Sequence, residues 1–339
     1  MEKLINAIYN VVWSDALIYL CLISGVFLSI RLKLPQIIRY IKHSIQLLFA
    51  RQTSDQGISS AQAFALAISG RVGTGNIAGV ATAIAMGGPG AVFWMWMIAF
   101  LGCSSAIVEA AFGQLSKEVK DGQYRGGPAY YILTGLKSKI FAWVFTIITI
   151  ISCGFLLPSV QSNSIALAAN SAFNFSGEVV AAFTIIVLGI IIFGGVRRIG
   201  KVAEFVVPFM AGAYILMAVI IIALNYQDIP AVFSLIFRSA FNLEPIFGGV
   251  AGMAISWGVK RGIYSNEAGQ GTAPHAAAAA EVSHPIKLGL VQGFSVYVDT
   301  LFVCTATALM ILFTGQYNVI NPEGGFVVQN INAALSGPE

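Results

Sequence analysis

The chain has almost no charge to offer to water. Only 10% of its 339 residues are Asp, Glu, Lys or Arg, against about 25% in an ordinary soluble domain. With 57% hydrophobic residues and a mean hydropathy of +0.80, that scarcity excludes a water-soluble globular protein, a disordered tail and a coiled coil. The solvent for this chain is a lipid bilayer. Its net charge of +4 is too small to point to nucleic acid, so the basic residues matter chiefly for topology. Cysteine is also scarce. Cys21, Cys103, Cys153 and Cys304 sit in apolar runs without CxxC spacing and read as small buried hydrophobes. His43, His275 and His284 lack metal-ligand spacing. No nucleophile–base constellation is present either, so neither an enzyme nor a resident cofactor is expected. The first apolar run, 16–30, is preceded by Lys3 alone, offset by Glu2, and is followed by basic residues. A secretory leader has the reverse polarity, so this run reads as a membrane helix.

A crossing helix needs about 20 mostly apolar residues. Eight stretches qualify: 14–31, 58–87, 90–114, 140–168, 178–195, 203–224, 244–280 and 287–314. Arg31, Lys33, Arg39, Lys42 and Arg51 lie between the first and second. Lys117, Lys120, Arg125, Lys137 and Lys139 lie between the third and fourth. Arg197, Arg198 and Lys201 follow the fifth, and Lys287 precedes the eighth. Lys3 and Arg238 alone fall on the opposite side. The positive-inside rule therefore predicts an external N-terminus and cytoplasmic loops after each odd-numbered span. Stretch 35–50 differs, because Ile37, Ile38, Ile41, Ile45 and Leu48 recur at helical spacing with Arg39, Lys42 and His43 between them. That pattern predicts an amphipathic helix on the cytoplasmic face.

Two spans carry the features that break helices. The second reads QAFALAISGRVGTGNIAGVATAIAM and brings Gly70, Gly73 and Gly75 together with Ser69, Arg71, Thr74 and Asn76. Each glycine costs about 1 kcal/mol relative to alanine in a helix. Unwound backbone at membrane depth survives only where protein, water or ligand satisfies it. The seventh span has a comparable run around Ser256, Trp257, Gly258, Lys260 and Arg261, with Ala254-Ile255-Ser256 echoing Ala67-Ile68-Ser69. The two spans run in opposite directions, and matched breaks in inverted halves predict a secondary transporter with its site between them. Gly73, Thr74, Gly75 and Asn76 open the second half-helix, whose free N–H groups suit a carboxylate. The carbonyl ends near Ile68, Ser69 and Gly70, and near Ser256, Trp257 and Gly258, suit sodium or an ammonium group. One carboxylate and one ammonium together describe an amino acid. Arg71, Lys260, Arg261 and Glu267 are ionisable groups near the breaks, expected to form an ion pair that acts as a gate or a brace. Glu109, late in the third span, is expected to pair with Lys117 or with a basic residue of a break.

Longer motifs add a resemblance. GGPGAVFWMWMIAFLG at 87–102 resembles the signature of the alanine/glycine:cation symporters, the sodium:alanine symporter family. GTGNIAGVATAIAM at 73–86, GGPAYYI at 126–132 and GVKRGIYSNEAGQGTAP at 258–274 are similar to the same family. The likeness covers most of the chain. It implies an all-α polytopic membrane protein with a leucine-transporter-like inverted-repeat fold and one extra N-terminal helix. It also implies uptake of alanine or glycine across the cytoplasmic membrane by alternating access, with sodium as the coupling ion. Thr74 and Gly75 are similar to the family's carboxylate-binding positions, and Gln161 resembles a polar substrate contact. Trp257 and Gly258 are then expected to help close the pocket. The family's chains continue beyond an eighth span. The expected organisation is therefore 1–57 as N-terminal and amphipathic helices, 58–224 as a first five-helix repeat, and 244–339 as the start of a second, its remainder missing. Stretch 318–339 reads as an external loop leading toward a further helix. The alternative is a transport-inactive fragment or short form.

Topology is directly testable. A cysteine placed at Asp121 or Arg198 should react with a membrane-impermeant maleimide only from the cytoplasmic side, and one at Gln227 only from outside. The reverse pattern would invert the orientation.

Overall fold

The computed structural model describes residues 11–34, 38–48, 57–241, 251–314, 316–320 and 326–330. The first apolar run forms α1 (Asp15–Arg31) and the amphipathic stretch forms α2 (Ile38–Leu48), with 35–37 and 49–50 outside the described residues. α3 (Ser60–Arg71) begins in a capping box. Ser59 Oγ accepts the Gln62 N–H at 3.2 Å, and Gln62 Oε1 accepts the Ser59 N–H at 3.1 Å. After an interruption, a π-turn over Gly75–Gly79 leads into α4 (Val80–Gly87). α5 (Gly90–Leu115) is followed by a small antiparallel hairpin, β1 (Glu118–Lys120) and β2 (Gln123–Arg125), and by α6 (Pro128–Tyr131).

α7 (Lys139–Ile151), a π-turn over Ser152–Leu156 and α8 (Leu157–Phe173) form one apolar helix of 35 residues. The π-turn comes just before Pro158, whose missing N–H breaks the regular ladder. α9 (Gly177–Ile192), α10 (Gly195–Leu224) and α11 (Ile229–Ala240) follow. Next come α12 (Ala251–Asn266), the short α13 (Ala273–Ala278), and α14 (Pro285–Tyr297), which continues through a π-turn over Val298–Cys304 into α15 (Thr305–Phe313). A second hairpin pairs β3 (Gln316–Ile320) with β4 (Phe326–Asn330) where a loop was expected, and 321–325 and 331–339 lie outside the described residues. Among the described residues, four helices are long and apolar enough to cross a membrane: Gly90–Leu115, Lys139–Phe173, Gly195–Leu224 and Pro285–Phe313. Ala16–Arg31, Gly75–Gly87 and Gly177–Ile192 are shorter apolar helices. Apart from the two hairpins, the described residues are therefore largely helical, as expected.

α5 is the axis of the buried core, and it is approached on several sides through glycine. On α12, a Cβ at Gly258 would lie 2.6 Å from Trp94 Cβ and collide with the Ala91 carbonyl, and one at Gly262 would collide with Ile98. On α14, Cβ atoms at Gly289 and Gly293 would each lie 2.7 Å from an atom of Ile107. Both pairs have GxxxG spacing, which lets backbones pack closely where no hydrophobic effect drives helices together. This corrects one expectation. α12 runs unbroken through Ser256, Trp257, Gly258, Lys260 and Arg261, because its glycines fill a helix–helix contact rather than interrupt a helix.

The interruption of this span comes later, at 267–272, where Glu267, Gly269 and Gly271 have φ of +53°, +85° and +82°. A left-handed backbone ends a right-handed helix, and two of the three positions are glycine. In contrast, α8 buries no residue and α9 only Val180, while Phe183, Ile185, Ile186 and Ile190 are exposed. These helices form an outer apolar layer.

Replacing Gly258 with Leu should destabilise the protein by about 1–3 kcal/mol or more through overpacking, read as a lower unfolding temperature in detergent. Gly252, on the same helix but with no atom near its Cβ position, should accept Leu with little change.

Candidate functional site

The first interruption lies where expected. α3 ends at Arg71, Val72 is extended at ψ 102°, and helix resumes only after Gly73. Local hydrogen bonds favour this path over a helix. Asn76 Oδ1 accepts the Gly73 N–H at 2.8 Å, the Asn76 N–H donates to the Gly73 carbonyl at 3.2 Å, and the Thr74 N–H donates to Gln161 Oε1 on α8 at 3.2 Å. The amide end of the second half-helix therefore carries a side-chain oxygen that a carboxylate could replace. The Thr74 hydroxyl is buried without a partner. Of the carbonyls proposed for a cation, Ile68 O accepts the Val72 N–H at 2.8 Å, and Ser69 Oγ donates to Leu66 O at 2.7 Å.

Behind Asn76 lies a polar cluster that sequence reasoning missed. Asp299, in the π-turn between α14 and α15, is 0% exposed. Its carboxylate accepts from Asn76 Nδ2 at 2.6 Å, Ser265 Oγ at 3.0 Å and Thr300 Oγ1 at 2.8 Å. All three donors are neutral, and among the described residues this carboxylate has no cationic side chain in ion-pair contact. The signal was present, since an acid within an apolar span marks a functional position by the same rule that singled out Glu109.

The second interruption is satisfied from α5. Glu109 accepts the Gly269 N–H at 3.2 Å and the Gly271 N–H at 3.1 Å. Alternating backbone handedness there forms an amide nest that holds an anion. The expected pairing of Glu109 with Lys117 does not occur, because Lys117 Nζ donates to the Ala280 carbonyl at 2.8 Å instead. Glu267 is held by Thr272 Oγ1 at 2.5 Å. Arg71 is 2% exposed and donates through Nη1 to the Gln292 carbonyl at 3.2 Å and to Ser295 Oγ, both on α14. Its Nε and Nη2 have no hydrogen-bond partner among the described residues. Among the described residues neither Arg71 nor Glu267 is in an ion pair, so the expected gate pair is not closed between them. Lys260 and Arg261 lie 5.9 and 5.3 Å from the Trp257 ring, within the unbroken part of α12. Ser256, Trp257 and Gly258 are likewise away from the break.

Both interruptions face one cavity of about 430 Å³, lined by Gly70, Arg71, Gly73 and Gly75 from the first, Gln161 from α8, and Tyr264, Glu267 and Thr272 from the second. Thus Gly73, Gly75, Gln161, Arg71 and Glu267 meet as a site, whereas the set around Trp257 does not join it.

A helical protein that turns two interrupted helices onto one cavity has the layout of a membrane carrier. The comparisons give its family. A family model described as the sodium:alanine symporter family matches residues 1–337. The chain is 57% identical over 338 residues to a putative sodium/proton-dependent alanine carrier protein, YrbD, of Bacillus subtilis (strain 168), covering 100% of this chain and 70% of that protein. It is 52% identical over 294 residues to the sodium/proton-dependent alanine carrier protein of Bacillus sp. (strain PS3), covering 86% and 66%. It is 44% identical over 320 residues to the probable sodium/glutamine symporter GlnT of Bacillus subtilis (strain 168), covering 94% and 67%. The chain belongs to the sodium:alanine symporter family, and it spans about two thirds of the length of these relatives.

Glu109→Gln should leave the turn at 269–271 without its charged acceptor. Hydrogen bonds to charged groups contribute about 1.5–3 kcal/mol each, so a clear loss of thermal stability in detergent is expected, while Glu118→Gln on the exposed hairpin should change little.

Proposed function

We propose that this chain forms the core of a sodium-coupled symporter that imports a small neutral amino acid, alanine first and glycine as a further substrate. The observation that carries this reading is the meeting of two helix interruptions at one cavity, with a fully buried carboxylate one side chain behind it. In this reading the substrate carboxylate displaces the Gln161 oxygen and binds the N–H groups at Thr74 and Gly75, while Asn76 holds the turn in place. Asp299, with Ser265 and Thr300, supplies negative charge for the coupling ion, which stabilises a buried anion that has only neutral donors. Carbonyls at Ile68, Ser69 and Gly70 are a second candidate for that ion. The names of the alanine carriers to which the chain is similar favour alanine, and that of the glutamine symporter argues for testing larger substrates as well.

The same reading includes an inverted-repeat, leucine-transporter-like arrangement with α1 as the extra helix. It takes 58–224 as the first repeat and 244–339 as the start of the second. The N-terminus lies outside the plasma membrane, and access alternates between the two sides. A transport-inactive fragment or short form of such a symporter is the competing reading.

Labelled alanine uptake into proteoliposomes separates the two. An inward sodium gradient should drive accumulation, and Asp299→Asn should remove most of the sodium dependence. Gly73→Leu should abolish uptake by filling the cavity beside Gln161. A folded wild-type preparation without sodium-driven uptake would favour the short form.

A further inference from the structure

We infer that Glu267 is the group that takes the ammonium of an α-amino acid, and so selects for a free amine. The inference rests on the amino acid reading above and assigns the end of the substrate which that reading leaves open.

Glu267 terminates α12 with a left-handed backbone, φ +53°, at a position where a side chain is uncommon and glycine is favoured. Keeping a glutamate there places a carboxylate in the cavity wall. One oxygen, Oε2, is used by the Thr272 hydroxyl at 2.5 Å, and Oε1 has no hydrogen-bond donor from the described residues. The carboxylate stands over the last turn of α3: a Cβ at Gly70 would lie 3.6 Å from Oε2 and 3.8 Å from Oε1. That turn is the carbonyl end of a half-helix, where the dipole is negative. A carboxylate and a helix C-terminus on one wall form a site for a cation.

The obvious cation within the protein is turned elsewhere. Arg71 is anchored through Nη1 to Gln292 and Ser295 on α14, and makes no ion pair with Glu267. Its Nε and Nη2, buried and without partners, belong to a side chain that lines the same cavity. The Arg71 guanidinium and the amide end of the second half-helix, at Gly73 and Gly75, line the same cavity and supply its positive pole. A cavity with one negative and one positive pole, about 430 Å³ in volume, matches a small zwitterion. A lone metal ion would satisfy only the negative side. The chemistry therefore requires both an ammonium and a carboxylate on the ligand.

Binding measurements on the purified full chain test this assignment. Labelled alanine, glycine and glutamine would be bound at saturating sodium, with lactate and propionate, which lack the amine, as competitors. Glu267→Gln should weaken alanine binding by about tenfold or more. It should leave the weak competition by lactate and the sodium dependence unchanged, and Glu267→Asp should recover much of the affinity. Alanine affinity within about twofold of wild type in a folded Glu267→Gln protein would overturn the inference, including the case where transport alone is lost, which would make Glu267 a gate. A parallel loss of sodium affinity would also overturn it, making the residue a metal-ion ligand. A wild-type chain that binds glutamine but not alanine would overturn only the alanine reading, and the Glu267 comparison would proceed on glutamine. Binding of none of the three by folded wild type would overturn both.

Discussion

A helix interrupted in apolar surroundings leaves amide and carbonyl groups that lipid cannot satisfy, and this constraint organises the protein. Among the described residues there are two such interruptions, and polar side chains converge on them. Asn76 accepts the freed Gly73 amide, Gln161 reaches across from α8 to the Thr74 amide, and Glu109 leaves the interior of α5 to hold the amides of Gly269 and Gly271. Without these partners each break would leave orphaned backbone groups, and an intact helix would be favoured. The same arrangement creates the cavity, because a segment that cannot pack as a helix leaves space beside it.

The interruptions also need a rigid frame, which close helix packing supplies. GxxxG pairs on α12 and α14 bring both helices against α5, so that Ile107, Trp94 and Ile98 fill the room that glycine leaves. Arg71 ties the end of α3 to α14 through Gln292 and Ser295. α3, α5, α12 and α14 are thereby fixed to one another. α8 and α9 present exposed apolar faces and touch the site mainly through Gln161. The polar contents of the cavity thus come almost entirely from the tightly packed side of the protein.

Glycine had two meanings in this chain, and local context separates them only in part. Gly73 and Gly75 stand beside Thr74 and Asn76, whose side chains compete with the helical ladder, and there the helix breaks. Gly258 and Gly262 stand four residues apart with Val259, Lys260 and Arg261 between them, and there the helix continues. Spacing and neighbours could have distinguished the two cases. What spacing could not supply was the contact surface of α5 that those glycines meet. Glu267, Gly269 and Gly271, only a few residues further along, form the real break, and Glu109 is the partner that makes it possible.

The bilayer as solvent, the presence of several long apolar helices, the amphipathic α2, the break at Gly73 and the family motifs are all legible in the linear sequence. Each depends on residues close together in the chain: apolar length, helical period, a cluster of helix-breaking residues. The position of the second break, the pairing of Glu109 with backbone amides instead of Lys117, and the cluster around Asp299 were decided by tertiary structure alone. Asn76 and Asp299 are 223 residues apart in sequence, and no local pattern at either position names the other. Which polar groups meet is settled when the helices pack, because a buried donor or acceptor must find whatever partner the neighbouring helix presents.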